Sequence, residues 1–143
     1  MAASSSILRR PYDLILVLLF TYYLWSCVFI ERHYCEAPLD ANSENSLLRA
    51  TFEYSEKYNP LFLQRPEWLR VATCISAYVL SVGYILGGIT FLLGLNEMRV
   101  PLLMFVSFKI YAITIYYYME FFGDLPVPNV PMFLAADGPY LLG

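Results

Sequence analysis

Residues 71–95 read VATCISAYVLSVGYILGGITFLLGL and contain no charged side chain. Arg70 precedes this stretch, and Glu97 and Arg99 follow it. An apolar run of about 20 residues between charged flanks is long enough to cross the hydrocarbon core of a membrane as a helix. The stretch therefore predicts a membrane-spanning helix.

Small residues recur along this helix at spacings of seven, four and seven, which includes one Gly-x-x-x-Gly step. Small side chains on one face let a neighbouring helix approach closely. We therefore expect a helix-packing face, although glycine is also simply common in membrane helices. The residues of this face are Ser76, Gly83, Gly87 and Gly94.

Two further segments are apolar enough to span a membrane. The first has no charge from Leu14 to Ile30, and the other begins at Pro101, which suits a first helical turn. The sequence thus predicts three spans, at about residues 12–30, 71–95 and 101–122, within one domain of 143 residues. The numbers of Lys and Arg residues on the two sides of the membrane differ too little to predict the orientation of the spans.

Lys109 interrupts the third span. At a rise of ~1.5 Å per residue it lies about 12 Å from Pro101, too deep for exposure to lipid. We expect it to face protein, a cavity or a lipid anion, with snorkelling toward the Pro101 end as the alternative. Helical spacing places it on one polar stripe with Ala112, Tyr116 and Glu120.

The connections are also patterned. Residues 46–58 alternate apolar and charged sides at helical spacing, which predicts an amphipathic helix on the membrane surface. Asn45 or Ser46 can cap its start, and Asn59 before a proline ends it. After Gly123 we expect an extended segment with three prolines, and residues 138–143 resemble the opening of another helix.

Composition excludes several classes of protein. Hydrophobic residues make up 59% of the chain and charged residues 15%, against about 25% charged in soluble domains. The net charge of -3 and the lack of a basic run argue against nucleic acid as a partner. Cys27, Cys35 and Cys74 are an odd number without paired spacing, so no disulfide framework follows from the sequence. His33, Cys35 and Glu36 suit a boundary loop better than a metal site.

One segment resembles a known family. Asn59-Pro60-Leu61-Phe62-Leu63-Gln64-Arg65-Pro66-Glu67-Trp68-Leu69-Arg70, between the amphipathic helix and a span, is similar to the EXPERA family, which includes the sterol isomerase emopamil-binding protein and the sigma-two receptor. The likeness covers most of the chain. Its other elements, in the family's order, are Glu31 closing the first span, Arg99 with Pro101, and Pro139-Tyr140.

The resemblance implies four helices around an intramembrane pocket that holds a sterol or an amphiphilic amine against acidic side chains. Glu31 matches the acid that pairs with the amine in sigma-two-like proteins. Asn59 and Ser76 stand where relatives carry further acids. The chain ends about four residues into the matching fourth helix. The expected fold is therefore an all-α multi-pass bundle with three spans, a surface helix and a missing or truncated fourth span.

Two functions stay open. The first is an accessory or structural subunit of a membrane complex, with or without a bound lipid or sterol. For this role the glycine face, Lys109 and the proline-bearing tail are the candidate contacts with other subunits. The second is a binding protein for a sterol, lipid or amphiphile. Its candidate ligand contacts are Glu31, Ser76, Tyr84, Lys109, Tyr111 and Tyr116.

Catalysis is disfavoured. A sterol isomerase needs a buried acid and base, and the second span has no His, Asp or Glu. We expect no catalytic residue, metal or cofactor, and we expect membrane lipids and other membrane subunits as partners. An internal membrane is expected, the endoplasmic reticulum by resemblance or a mitochondrial or plastid membrane for a complex subunit. Glu31 and Lys109 should lie at different depths, so that another anion neutralises Lys109.

Overall fold

Helices form nearly all of the structure. The computed structural model describes residues 7–139, and no β-strand occurs within that range. Two helices contain one π-helical turn each, at Cys27–Glu31 and Ser76–Leu80. The helices are α1 (Pro11–Glu36), α2 (Ser46–Tyr58), α3 (Pro60–Gln64), α4 (Glu67–Leu93), α5 (Arg99–Phe122) and α6 (Val130–Asp137).

Three helices are long and apolar enough to cross a membrane. They are α1, α4, and α5 together with the 3-10 turn Asn96–Met98 that precedes it. The expectation of three spans in an all-α membrane bundle is confirmed for the described residues. The helices exceed the predicted apolar limits, because polar residues at the ends of a span do not by themselves break a helix.

The extension of α1 corrects one expectation. His33 and Cys35 lie on the last turns of α1 rather than in a boundary loop. The helix ends at Glu36, shortly before Pro38. Arg65 stabilises this end, because its guanidinium donates hydrogen bonds to the carbonyls of Tyr34 at 3.0 Å and Cys35 at 2.9 Å.

A second arginine holds the opposite end of the bundle. Arg10 pairs with Asp13 at 2.7 Å and donates to the carbonyls of Phe91 and Leu92 in the last turn of α4. A cation is favourable beside the unpaired carbonyls at a helix C-terminus. Gly94 ends α4 in the left-handed conformation, with φ +70. Gly94 therefore caps the helix, and its missing side chain also allows the close approach of Arg10, because a Cβ atom there would lie 2.7 Å from the guanidinium.

A disulfide joins the other end of the bundle, a pairing that the cysteine spacing did not predict. Cys35 on α1 and Cys74 on α4 are bonded, at a sequence separation of 39. Spacing could not reveal the pair, because it forms only when the end of α1 packs against the start of α4. Cys27 is free and buried.

The segment after Gly123 is only partly extended. Residues 130–137 form helix α6, in place of the expected extended chain. Asn129 caps it by accepting a hydrogen bond from the Met132 backbone N–H, and Pro131 occupies its first turn, where a proline is tolerated. Phe133 packs against α5 and is fully buried. Residues 140–143, part of the predicted last helix opening, lie outside the described range.

The glycines of α4 allow close packing within this chain. A Cβ atom at Gly87 would lie 2.2 Å from the ring of Phe20 on α1, and one at Gly83 would lie 2.1 Å from the ring of Phe105 on α5. Gly87 and Gly83 therefore support the predicted packing face. Ser76 lies on the same side of α4, against Cys27 of α1.

Candidate functional site

A cavity of about 560 Å³ lies between the helices. Its wall includes residues from α1, α2, α3, α4, α5 and α6, with Asn59 between α2 and α3. Most lining atoms are apolar, and a few charged or hydroxyl-bearing side chains interrupt them. This volume and character are typical of sites that enclose a small organic ligand, for which about 300–1,000 Å³ is usual.

The predicted amphipathic helix forms one wall of the cavity. Asn45 caps α2 through a 3.0 Å hydrogen bond from the Leu47 backbone N–H, as expected. Thr51 and Tyr54 line the cavity, and Ser55 is buried there. The charged side of α2 is exposed. The amphipathic pattern thus marks a helix whose apolar side contacts protein.

One corner of the cavity is acidic. Glu31 lies at the end of the π-helical turn of α1, and Ser76 lies at the start of the π-helical turn of α4. The Cys27 thiol is 3.6 Å from Glu31 Oε2, and the hydroxyls of Ser26 and Ser76 are also placed to donate to this carboxylate. π-helical turns interrupt regular helices at functional sites more often than elsewhere.

A cation enters the cavity from α5. Lys109 is only 2% exposed, and its Nζ lies 3.8 Å from the centroid of the Tyr23 ring and 5.2 Å from that of Tyr84. This lysine faces protein and a cavity, as predicted. Its Nζ makes no hydrogen bond. Glu31 is near enough to act on it electrostatically, but no ion pair joins the two.

Asn59 forms a polar contact on another wall. Its amide donates to the Tyr116 hydroxyl at 2.9 Å, and its Oδ1 accepts from the Phe62 backbone N–H and caps α3. Glu120, one turn beyond Tyr116, is 0% exposed and its carboxylate oxygens make no hydrogen bond. Its polar neighbours include Tyr116 and Asn59, and Asp137 is near enough to act on it electrostatically. The predicted polar stripe of α5 therefore faces inward.

Asp137 at the end of α6 is a third carboxylate of the site. The Tyr54 hydroxyl donates to its Oδ2 at 3.2 Å, and the Tyr117 hydroxyl donates to its backbone carbonyl at 2.8 Å. Burial raises the pKa of Asp137 to about 6, an effect that the hydrogen bond from Tyr54 partly offsets. The Tyr23 hydroxyl donates to the backbone carbonyl of Pro139, just beyond the end of α6. These hydrogen bonds hold the end of α6 against α2 and α5 beside the cavity.

All six candidate ligand contacts line this cavity. Tyr111 is at its rim, with 65% of its surface exposed, and the other five lie deeper. Sequence reasoning missed Tyr54 and Asp137, whose pairing depends on an unexpected helix. It also missed the contact of Cys27 with Glu31, although their spacing of four residues on a predicted helix was a usable signal.

The site combines an apolar surface with charged side chains of both signs. It offers a long apolar wall, an acid beside two serine hydroxyls and a thiol, and a cation without a hydrogen-bonded partner. Within residues 7–139, no group of three or more His, Cys, Asp or Glu side chains is arranged to hold a metal ion. The chain matches no protein-family model, and comparison with curated proteins and with solved structures gives no significant match.

Proposed function

We propose that this membrane protein binds one amphiphilic lipid or sterol in the cavity between its helices. The observation that carries the proposal is a largely apolar cavity of about 560 Å³ into which Glu31 and Lys109 both project. Such a cavity suits a molecule with one polar end and a long apolar body. The resemblance of residues 59–70 to the EXPERA family agrees with this class of ligand, and membership of that family stays a prediction.

Two features that favoured a subunit of a larger complex have partners within this chain. Gly83 and Gly87 pack against Phe105 and Phe20. Lys109 contacts Tyr23 and Tyr84. These residues therefore give no specific support to contacts with another protein, and we favour ligand binding over an accessory role.

Binding without catalysis is part of the proposal. Ser76 stands where the family resemblance would put a second pocket acid, and a serine hydroxyl does not exchange protons with a sterol at neutral pH. Purified protein should leave sterol substrates of an isomerase unchanged over hours. Complementation of isomerase-deficient cells by this chain would contradict this part of the proposal.

Photo-crosslinking tests the binding function. A photoactivatable sterol should label the purified protein in nanodiscs, and peptide mapping should place the label on cavity-lining residues. Ala112 lines the cavity, so Ala112→Phe fills part of it and should reduce labelling at least tenfold. Thr114→Phe, on the exposed side of the same helix, is the matched control. Equal labelling of the two variants would refute binding of this sterol in the cavity.

The disulfide suggests an orientation in an internal membrane. Disulfides persist in oxidising compartments. We therefore propose that residues 37–66, next to Cys35 and Cys74, face the lumenal side, with residues 94–98 toward the cytosol. Glu44→Cys and Glu97→Cys test this in cells with a permeabilised plasma membrane. An impermeant maleimide should label only Glu97→Cys until internal membranes are opened, and the reverse pattern would invert the topology.

A further inference from the structure

We propose that the cavity selects an amphiphile with an anionic oxygen head, a carboxylate or a phosphate, and that Lys109 binds this head. The inference rests on the proposed binding function and names the class of its ligand. It depends on the surroundings of one buried ammonium group.

Lys109 has unused hydrogen-bonding capacity inside the cavity. Its side chain is 2% exposed and its Nζ makes no hydrogen bond. The Tyr23 and Tyr84 rings stabilise the positive charge through their faces, but they accept none of its three N–H groups in ordinary hydrogen bonds. A buried cation with three free donors is costly without an acceptor, so the site favours a ligand that supplies one.

The acids of the chain do not fill this role. Glu31 interacts with Cys27, Ser26 and Ser76, and no ion pair within 4.0 Å connects Lys109 to any carboxylate of residues 7–139. Asp137 accepts its hydrogen bond from Tyr54. Glu120 has Tyr116 and Asn59 as its polar neighbours. The ammonium group is therefore available to an oxygen atom from outside the chain.

Electrostatic repulsion also disfavours a ligand with a cationic head group. A ligand amine beside Lys109 would meet a like charge in a poorly hydrated space, which is strongly unfavourable. Glu31 repels an anion, but a head in hydrogen-bond contact with Lys109 is closer to the lysine than to the glutamate, so attraction dominates. When an anionic head binds Lys109, the apolar wall of the cavity remains free to contact the hydrocarbon part of the ligand. That wall includes Ile30, Phe62, Leu80, Phe108 and Ile113.

Four photoprobes with the same 16-carbon diazirine-bearing chain test the inference. Their heads are a carboxylate, a phosphate, an alcohol and an amine, and each is cross-linked to the purified protein in nanodiscs. We expect at least one anionic probe to label the cavity about tenfold more than the amine. The stronger of the carboxylate and phosphate probes distinguishes a free fatty acid from a phosphorylated lipid.

Substitutions assign the preference to one side chain. Lys109→Met keeps the length of the side chain and should abolish the preference, whereas Lys109→Arg should retain most of it. Lys57→Met is the matched control, because Lys57 is exposed on the outer side of α2 and is the other lysine of the chain. Glu31→Gln should increase labelling by the anionic probe severalfold.

The outcomes separate this inference from the proposed function. If all four probes label the cavity equally, or if the Lys109→Met protein keeps the preference for anions, the inference is wrong while the binding function stands. The binding function itself fails if neither the probes nor the sterol label the cavity of wild-type protein more strongly than the cavity of the Ala112→Phe variant. Should Lys109→Met not fold, unchanged labelling of Glu31→Gln by the anionic probe would overturn the inference.

Discussion

The ammonium nitrogen of Lys109 on α5 lies 3.8 Å from the centroid of the Tyr23 ring on α1. The Tyr84 ring on α4 is the second aromatic face near this nitrogen, at 5.2 Å. The negative face of an aromatic ring attracts a cation, and the attraction grows when water is excluded. One charged side chain of α5 is thus held by rings from both other spanning helices.

A double-mutant cycle measures this contact. Tyr23→Leu, Lys109→Met and the double variant should show a coupling free energy of about 2 kcal/mol, the usual size for a desolvated cation–π pair. Unfolding of the purified proteins in detergent provides the measurement. Tyr23→Phe is the control, because it keeps the ring and removes only the hydroxyl that contacts Pro139. A coupling energy near zero would show that the ring does not stabilise the cation.

Close packing at Gly87 predicts a strong dependence on side-chain size. Gly87→Ala forces a methyl group into the buried ring of Phe20 and should destabilise the protein by about 1–3 kcal/mol. Gly88 is the matched control, since a Cβ atom there meets nothing within 4 Å. Gly88→Ala should be neutral or stabilising by up to about 1 kcal/mol. Equal melting temperatures for the two variants would contradict the packing of α1 on α4.

The disulfide predicts the number of reactive thiols. Denatured, unreduced protein should take up one maleimide-polyethylene glycol group, on Cys27, and reduced protein should take up three. Three groups before reduction would show that Cys35 and Cys74 are not bonded. Cys35→Ser with Cys74→Ser should lower stability by about 4 kcal/mol by the loop-entropy argument. Cys27→Ser leaves the disulfide intact and serves as the control.

Asp137 predicts a pH dependence. Its ordinary pKa of 3.8 is raised to about 6 by burial, so the folded protein holds this proton more tightly than the unfolded chain. The contribution of this protonated carboxyl to the free energy of unfolding is fully present below about pH 4 and is lost as the pH rises through about 6. Two pKa units correspond to at most about 3 kcal/mol.

Asp137→Asn isolates this effect, because every other acid is the same in both proteins. The variant keeps an acceptor for the Tyr54 hydroxyl and carries no charge. Relative to it, wild-type protein should lose stability between pH 4 and pH 7, as measured by thermal unfolding. A stability difference that stays constant over this range would show that the carboxyl is not buried in the folded protein.

The number of spans was readable from the sequence because charge-free runs between charged residues are a strong signal. The inward position of Lys109 was one of two alternatives, the other being snorkelling toward the Pro101 end, since a cation at that depth has few acceptable surroundings. The amphipathic pattern of residues 46–58 predicted where α2 begins and ends, and which of its sides is apolar. These predictions depend on local patterns and on the solvent that surrounds them.

The remaining features depend on contacts between distant segments. The Cys35–Cys74 disulfide needs the end of α1 to pack against α4, and the role of Arg10 needs α1 to begin beside the end of α4. Helix α6 was missed because three prolines suggested extended chain. Two of them precede the helix and the third occupies its first turn, where proline is favourable.

The most direct test of the binding function is native mass spectrometry of protein extracted gently from its own membrane. Wild-type protein and Thr114→Phe should carry one additional molecule per chain, which fragments as an amphiphile and survives removal of the surrounding lipid. Ala112→Phe, whose added ring occupies the cavity, should appear mainly at the mass of the bare chain. The cavity is not a binding site if wild-type protein is detected only at the mass of the bare chain. The same holds if Ala112→Phe carries the same molecule to the same extent as wild-type protein.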